Sequence, residues 1–198
     1  DRPFAKLLGA LKLSCELTQT PNTHFLWTTE AFEKWATPRK SLLMESFYRE
    51  GRKRFDILMD GKKPIGEQWN FDKENRKPPK GKISPPAPLT FEWDEITRDV
   101  VDIVDVADYE TFGESKGVGW AVTREQALDV LDNFVRDRLT TFGPYQDAMV
   151  TGQDTMWHSL ISPYLNIGLL QPMEVIPQFN TVPNKIYQGT SAESHRRK

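Results

Sequence analysis

Apolar residues in this chain recur first at helical spacing. From Pro3 to Leu13, Phe4, Leu7, Leu8 and Leu11 fall three or four residues apart, which predicts a short amphipathic helix. Leu13 to Thr20 alternates in part, as a strand would, and Pro21-Asn22 predicts a turn after it. A second short apolar piece, His24 to Trp27, precedes Thr28 and Thr29. Either threonine can cap a helix with Phe32 and Trp35 on one face, and Pro38 stops that helix. Ser41 is expected to open the next helix, SLLMESFYREGRKRF, with Leu43, Phe47 and Phe55 inward and a basic outer face. Asp60-Gly61 reads as a turn. Helix alternating with strand in this way predicts the tail of an α/β domain.

The rhythm changes after Trp69. Five prolines fall between Pro78 and Pro88, so continuous helix is excluded and an extended, partly polyproline linker is expected. The acidic segment that follows carries Val100, Val101, Ile103, Val104 and Val106, which fits either a helical turn or a short strand. Gly113 to Gly119 reads as loop. Periodicity returns at Thr123, which with Gln126 matches a capping box. Ala127, Leu128, Leu131, Phe134, Val135, Leu139 and Phe142 form an apolar stripe, and Gly143-Pro144 is expected to end the helix. Ser162-Pro163 predicts another helix start, because serine can accept from a first-turn amide and proline has no amide to leave unpaired. Beyond Ile176 the chain turns polar and reads as a flexible tail. The chain therefore divides into an α/β tail (1–60), a linker (61–122), a helical start (123–176) and a polar tail (177–198).

Composition narrows the classes. Among 198 residues, 38% are hydrophobic and 27% charged, as in ordinary globular proteins. A net charge of -2 argues against bulk attraction to nucleic acid, but the charge is unevenly spread. Asp72 to Lys82 holds five basic and two acidic residues, whereas Glu92 to Glu110 holds eight acidic and one basic. Cys15 stands alone, so no disulfide framework, zinc ribbon or iron–sulfur cluster can be assembled from this sequence. One cysteine fits a reducing compartment. No apolar run approaches the roughly 20 residues needed to span a bilayer, and the N-terminal residues lack a cleavage site, so the expected location is cytoplasmic. Asp1 in place of methionine suggests a start inside a longer gene product. There is no P-loop, GxGxxG, HExxH or GxSxG, and His24, His158 and His195 lie too far apart for metal-ligand spacing.

Candidate chemistry is concentrated in FGPYQDAMVTGQDTMWHSLISPYLNIGLL, from Phe142 to Leu170. The helix start at Ser162 carries unpaired N–H groups that suit an anion, and His158 and Ser159 add donors at the same end. Most capped helix starts only satisfy their own amides, so both readings stand. Tyr145, Gln146 and Asp147 follow the Gly-Pro break as capping or core-closing residues. WNFDKENRK reads as an exposed mixed-charge loop, or as a strip for single strands with Trp69 or Phe71 stacking and Arg76 and Lys77 on phosphates. Trp27, Trp35, Trp93 and Trp120 are expected in packing, and Trp157 in packing or at a site.

KSLLMESFYRE, then QWNFDKENRKPP, then HSLISPYLN occur in that order. Met44, Glu45, Phe47, Tyr48 and Arg49, with Trp69, Asn70, Phe71, Asp72, Glu74, Asn75, Arg76 and Lys77, resemble two motifs of the iron–sulfur bacterial cryptochromes and photolyases, the deoxyribodipyrimidine photolyase-related proteins. The resemblance covers about Phe4 to Ile176. It implies the end of a Rossmann-like α/β antenna domain joined by a long Pro-rich linker to the start of an all-α flavin-binding domain. It also implies FAD, with Tyr145, His158, Ser159, Leu160, Ile161 and Ser162 near it and the serine segment around its pyrophosphate. Full-length members carry a ribityllumazine antenna and a four-iron cluster, whose ligands this chain lacks. UV-damaged DNA is the implied partner of the parent protein, with no membrane and no indicated protein partner. The implied activity is light-driven repair of six-four photoproducts by electron transfer from reduced FAD. The catalytic residues stay unassigned. The chain would then be an internal fragment, truncated at both ends and not competent alone. A blue-light-sensing cryptochrome without repair and a non-enzymatic interaction module remain open.

Overall fold

The computed structural model describes residues 2–180 apart from 12, 13, 19, 21, 23, 108, 109, 111, 116 and 118, so the expected polar tail beyond 180 lies outside it. Helix α1 (Arg2–Ala10) leaves Phe4, Leu7 and Leu11 exposed. Ser14 to Thr18 pairs with no other strand among the described residues. Helix α2 (Thr29–Ala36) starts as expected, with the Ala31 amide donating to Thr28 Oγ1 at 3.1 Å. Helix α3 begins at Met44, not Ser41, and runs to Phe55. Leu43 precedes it without a side-chain cap and is exposed instead of inward.

Aromatic rings join α2 and α3. Phe47 lies 4.8 Å from both Trp27 and Trp35, and Phe32 meets Phe47 edge-on at 5.4 Å. Rings at these spacings and tilts add to the apolar area they bury. Arg39 stacks 4.2 Å over the buried Trp35. After α3, β1 (Met59–Asp60) and β2 (Lys63–Pro64) form a small antiparallel hairpin. Gly61 supplies the positive φ of its tight loop.

The two motifs at Met44 and Trp69 pack on each other through Arg52. That side chain is buried, where the sequence suggested a solvated basic face. It donates to Tyr48 Oη at 3.3 Å and to the carbonyls of Ile57, Leu58 and Trp69. Arg49, Arg52 and Lys53 all lie within 5.5 Å of the Trp69 ring centre. Glu45 pairs with Arg49 at 2.7 Å, and the bonds from Arg49 and then Asn70 hold its carboxyl below the usual range. A 3₁₀ turn, Asp72–Glu74, follows.

The acidic valine-rich segment is a helix, α4 (Glu95–Val106), longer than the helical turn that was one of its two readings, and not the short strand. Asp94 Oδ1 caps it by accepting from the Thr97 amide at 2.7 Å. Ile96, Val100 and Ile103 remain exposed along one stripe. The core lies further on. Helix α5 (Arg124–Asp137) opens with the predicted capping box and buries Ala127, Val130, Leu131 and Phe134. The buried spacing is i, i+3, i+4, i+7, which turns Leu128 outward, against its assignment to the stripe. Ala121, Ile161, Tyr164, Leu170 and Val175 complete that core. Gly143-Pro144 does not end α5. The break is at Arg138, and α6 (Leu139–Tyr145) contains both residues in its last turn. Two further helices follow, α7 (Ser162–Asn166) and α8 (Pro172–Asn180), so helix continues past Ile176.

Arg138 is fully buried between α5 and α6. Its Nη2 donates to the linker carbonyls of Pro86 and Ala87 at 3.1 and 2.7 Å. This ties the extended proline segment to the helical core.

Candidate functional site

The capping box fixes the start of α5, and α6 then delivers Tyr145 to the mouth of a compact loop. Tyr145 stacks on Trp157, with ring centres 4.9 Å apart and planes tilted by 29°. Trp157 therefore belongs to the loop as a ring partner. Met156 is buried and anchors the loop from below, with its backbone at φ 42°. The His158 amide donates to the Thr155 carbonyl at 3.0 Å. Leu160 holds φ 58°, a left-handed conformation that costs a branched side chain energy. Ile161 is buried against the α5 core. Two strained non-glycine residues thus bracket His158 and Ser159.

His158 Nε2 is buried and has no hydrogen-bond partner among the described residues. A buried imidazole nitrogen is normally satisfied, so this one marks a place where something else can bond. Ser162 departs from expectation. It is the first residue of α7, preceded by Ile161 at φ -95°, ψ -8°, and no side chain caps the helix. With Ile161 already near helical dihedrals, the serine enters the first turn and its hydroxyl no longer sits over later amides. Pro163 does occupy the first turn as predicted.

Tyr164 locks the helix inward. It is buried, and its hydroxyl accepts from the Ala121 amide at 3.2 Å. On the other side, Arg124 donates to the Leu169 carbonyl at 3.0 Å and pairs with Glu174 of α8. The Arg124 bond, followed by that of the Gln171 amide, holds the Glu174 carboxyl below its usual range.

The structure also brings Arg76 and Lys77 to this place. The Lys77 amide donates to the Pro144 carbonyl at 3.0 Å, and the Asp147 amide donates to Asn75 at 3.3 Å. Arg76 Nε lies 3.2 Å from Asp147 Oδ2, with its side chain 80% exposed. The two basic candidates therefore meet the residues that flank Tyr145, Pro144 and Asp147, although 71 residues separate Arg76 from Asp147. Trp69 is not free for base stacking in this arrangement, since three cations already surround its ring. Among the described residues, no group of three or more His, Cys, Asp or Glu side chains could hold a metal ion. An open cleft lined by Thr90, Phe91, Glu92, Trp93, Arg98, Gly117 and Gly119 includes none of the candidate residues.

His24, Arg52 and Arg138 were missed as organising residues. Only Arg138 left a trace in the sequence, as a charge four residues after Phe134 on the buried face of α5.

The family described as "Deoxyribodipyrimidine photo-lyase-related protein" matches residues 1–120 of this chain. A (6-4) photolyase of Agrobacterium fabrum is 43% identical over 151 residues, which is 76% of this chain and 30% of that protein. An uncharacterised protein of Acanthamoeba polyphaga mimivirus is 52% identical over 44 residues, 22% of each chain. The chain thus spans less than a third of either relative. It belongs to the deoxyribodipyrimidine photo-lyase-related family.

Proposed function

We propose, from that membership, that this chain is part of a light-dependent DNA-repair flavoprotein acting on six-four photoproducts. We further propose that it supplies the part of the FAD site that holds the pyrophosphate. The first reading is carried by the 43% identity to the Agrobacterium fabrum (6-4) photolyase. In this reading residues 1–60 close an α/β antenna domain, 61–122 link, and 123–176 begin the flavin-binding helices. FAD supplies light-driven electron donation when bound, and UV-damaged DNA is the partner of the whole protein. Among the described residues, no helix is long and apolar enough to cross a membrane.

The second reading is supported by the orphaned His158 Nε2 beside Ser159. A phosphate oxygen would satisfy that nitrogen when it carries the proton, and the Ser159 hydroxyl can donate alongside it. Leu160 at φ 58° turns the backbone directly after these donors. Tyr145 and Trp157 present a stacked pair at the loop mouth, and Arg76 extends the cationic rim. The residues present fit a dinucleotide's phosphates, and they bind and orient them while the buried Ile161 and Tyr164 keep the loop rigid. A ligand site commonly encloses about 70–90% of its ligand. The surfaces described here cover one side, so the affinity of the isolated chain is expected to be weak and lesion repair absent.

A chimera tests the function. This chain replaces the matching segment of the Agrobacterium fabrum protein, and light-dependent reversal of (6-4) photoproducts is measured. Retained repair supports the reading. A flavin-loaded chimera that repairs nothing contradicts it and points to light sensing. For the site, His158→Ala is expected to weaken FAD binding, and unchanged affinity would remove His158 from it.

A further inference from the structure

The end of α7 opposite the phosphate loop is held by a residue from the other end of the chain. The carbonyls of Ile161, Pro163 and Tyr164 accept from the amides of Leu165, Ile167 and Leu170. Those of Leu165 and Asn166 lie 2.9 and 3.1 Å from His24 Nε2. Both partners are acceptors, so this nitrogen must carry the proton and donate to them. The last carbonyls of a helix have no intrahelical donor, and a histidine side chain is one of the groups that can supply it.

The backbone is shaped to admit the ring. Gly168 sits at φ 81°, and a Cβ there would stand 2.9 Å from His24 Cε1. His24 is itself tethered, its amide donating to Asn22 Oδ1 at 2.8 Å. Helix α7 has only five residues, so its two ends are about 7 Å apart. Such a short helix has little cohesion of its own, and its position follows from what grips it. Tyr164 grips its inner face through Ala121, and His24 grips its end.

We propose that His24 is a positioning residue for the phosphate loop. By satisfying the terminal carbonyls of α7, it fixes that helix lengthwise and with it the backbone from Ser159 to Ser162. The inference rests on the flavin-phosphate reading of that loop.

The test uses the 198-residue chain with His24→Ala and His24→Gln, read by amide hydrogen exchange and by titration with FAD and with riboflavin. In His24→Ala, exchange at Leu165, Ile167 and Leu170 is expected to rise about tenfold, the effect of losing one good hydrogen bond. FAD should bind about tenfold more weakly, while affinity for riboflavin, which lacks the phosphates, stays the same. His24→Gln should recover part of both losses, because its side-chain amide can donate to a carbonyl. A histidine that merely stabilises the fold would shift both ligands alike. Equal shifts, or unchanged exchange in His24→Ala, overturn the proposal alone. A wild-type chain that takes up no FAD overturns the flavin reading, and the proposal falls with it.

Discussion

Replacing Arg138 by methionine measures how the proline linker is attached. The guanidinium is buried, and no carboxylate among the described residues is bonded to it. Among the described residues it donates to the carbonyls of Pro86 and Ala87 and, at 3.4 Å, to Asn133 Oδ1, while Nε has no partner there. Burial lowers its proton affinity, yet an arginine stays charged at any ordinary pH. A hydrogen bond from a charged donor is worth about 1.5–3 kcal/mol, so the two linker bonds amount to about 3–6 kcal/mol. Against this stands the cost of holding a desolvated cation, several kcal/mol, which methionine removes. Methionine also keeps most of the stem's packing. The expected net loss for Arg138→Met is about 2 kcal/mol, and Arg138→Ala, which adds a cavity, should lose about 4 kcal/mol. Urea unfolding followed by circular dichroism gives both values, and trypsin cleavage after Lys82 should accelerate in each variant. A methionine variant as stable as wild type, with unchanged cleavage, would show that Arg138 does not hold the linker.

The capping box makes Thr123→Ala cost about 1 kcal/mol in the same unfolding assay, and no loss would mean the Gln126 bonds suffice alone. A Cβ at Gly119 would meet Thr90 Cβ at 2.8 Å, so Gly119→Ala should destabilise by about 1–3 kcal/mol; a neutral variant would show that the linker shifts freely there. Arg124 depresses the Glu174 carboxyl below its ordinary 4.5. A depressed folded value favours the folded state above the unfolded one, and this stability is lost as pH falls through the folded value. Acid unfolding should therefore include a component below about pH 4.5 that Glu174→Gln removes and high salt weakens. Identical acid profiles for the two proteins would count against the pair.

Local signals read well where the chain's own neighbours decide the outcome. The caps at Thr28 and Thr123, the Asp60-Gly61 turn and the inward face of α5 at Ala127, Leu131 and Phe134 all follow from short-range chemistry. Errors arose where distant residues decide. The β-branched run in α4 disguised a helix whose Asp94 cap and Ile96, Val100, Ile103 spacing were nonetheless present. Gly143-Pro144 looked like a stop, but Arg138, turned toward the linker, broke the helix earlier. Arg52 looked solvated because its partners are backbone carbonyls of the following hairpin and of Trp69, which no periodicity reveals. At the site, His158 to Ser162 are consecutive, so the sequence alone could group them. It could not show that Lys77 and Arg76 meet Pro144 and Asp147, nor that His24 reaches Asn166 across 142 positions.

The central claim is that the loop from His158 to Ser162 holds the phosphates of FAD. Amide chemical shifts of the isotopically labelled chain, recorded during an FAD titration, test it residue by residue. The largest changes are expected at Ser159, Leu160, Ile161 and Ser162, together with the His158 ring, and riboflavin should leave these signals in place. Shifts centred elsewhere, or the same shifts with riboflavin, would contradict the account.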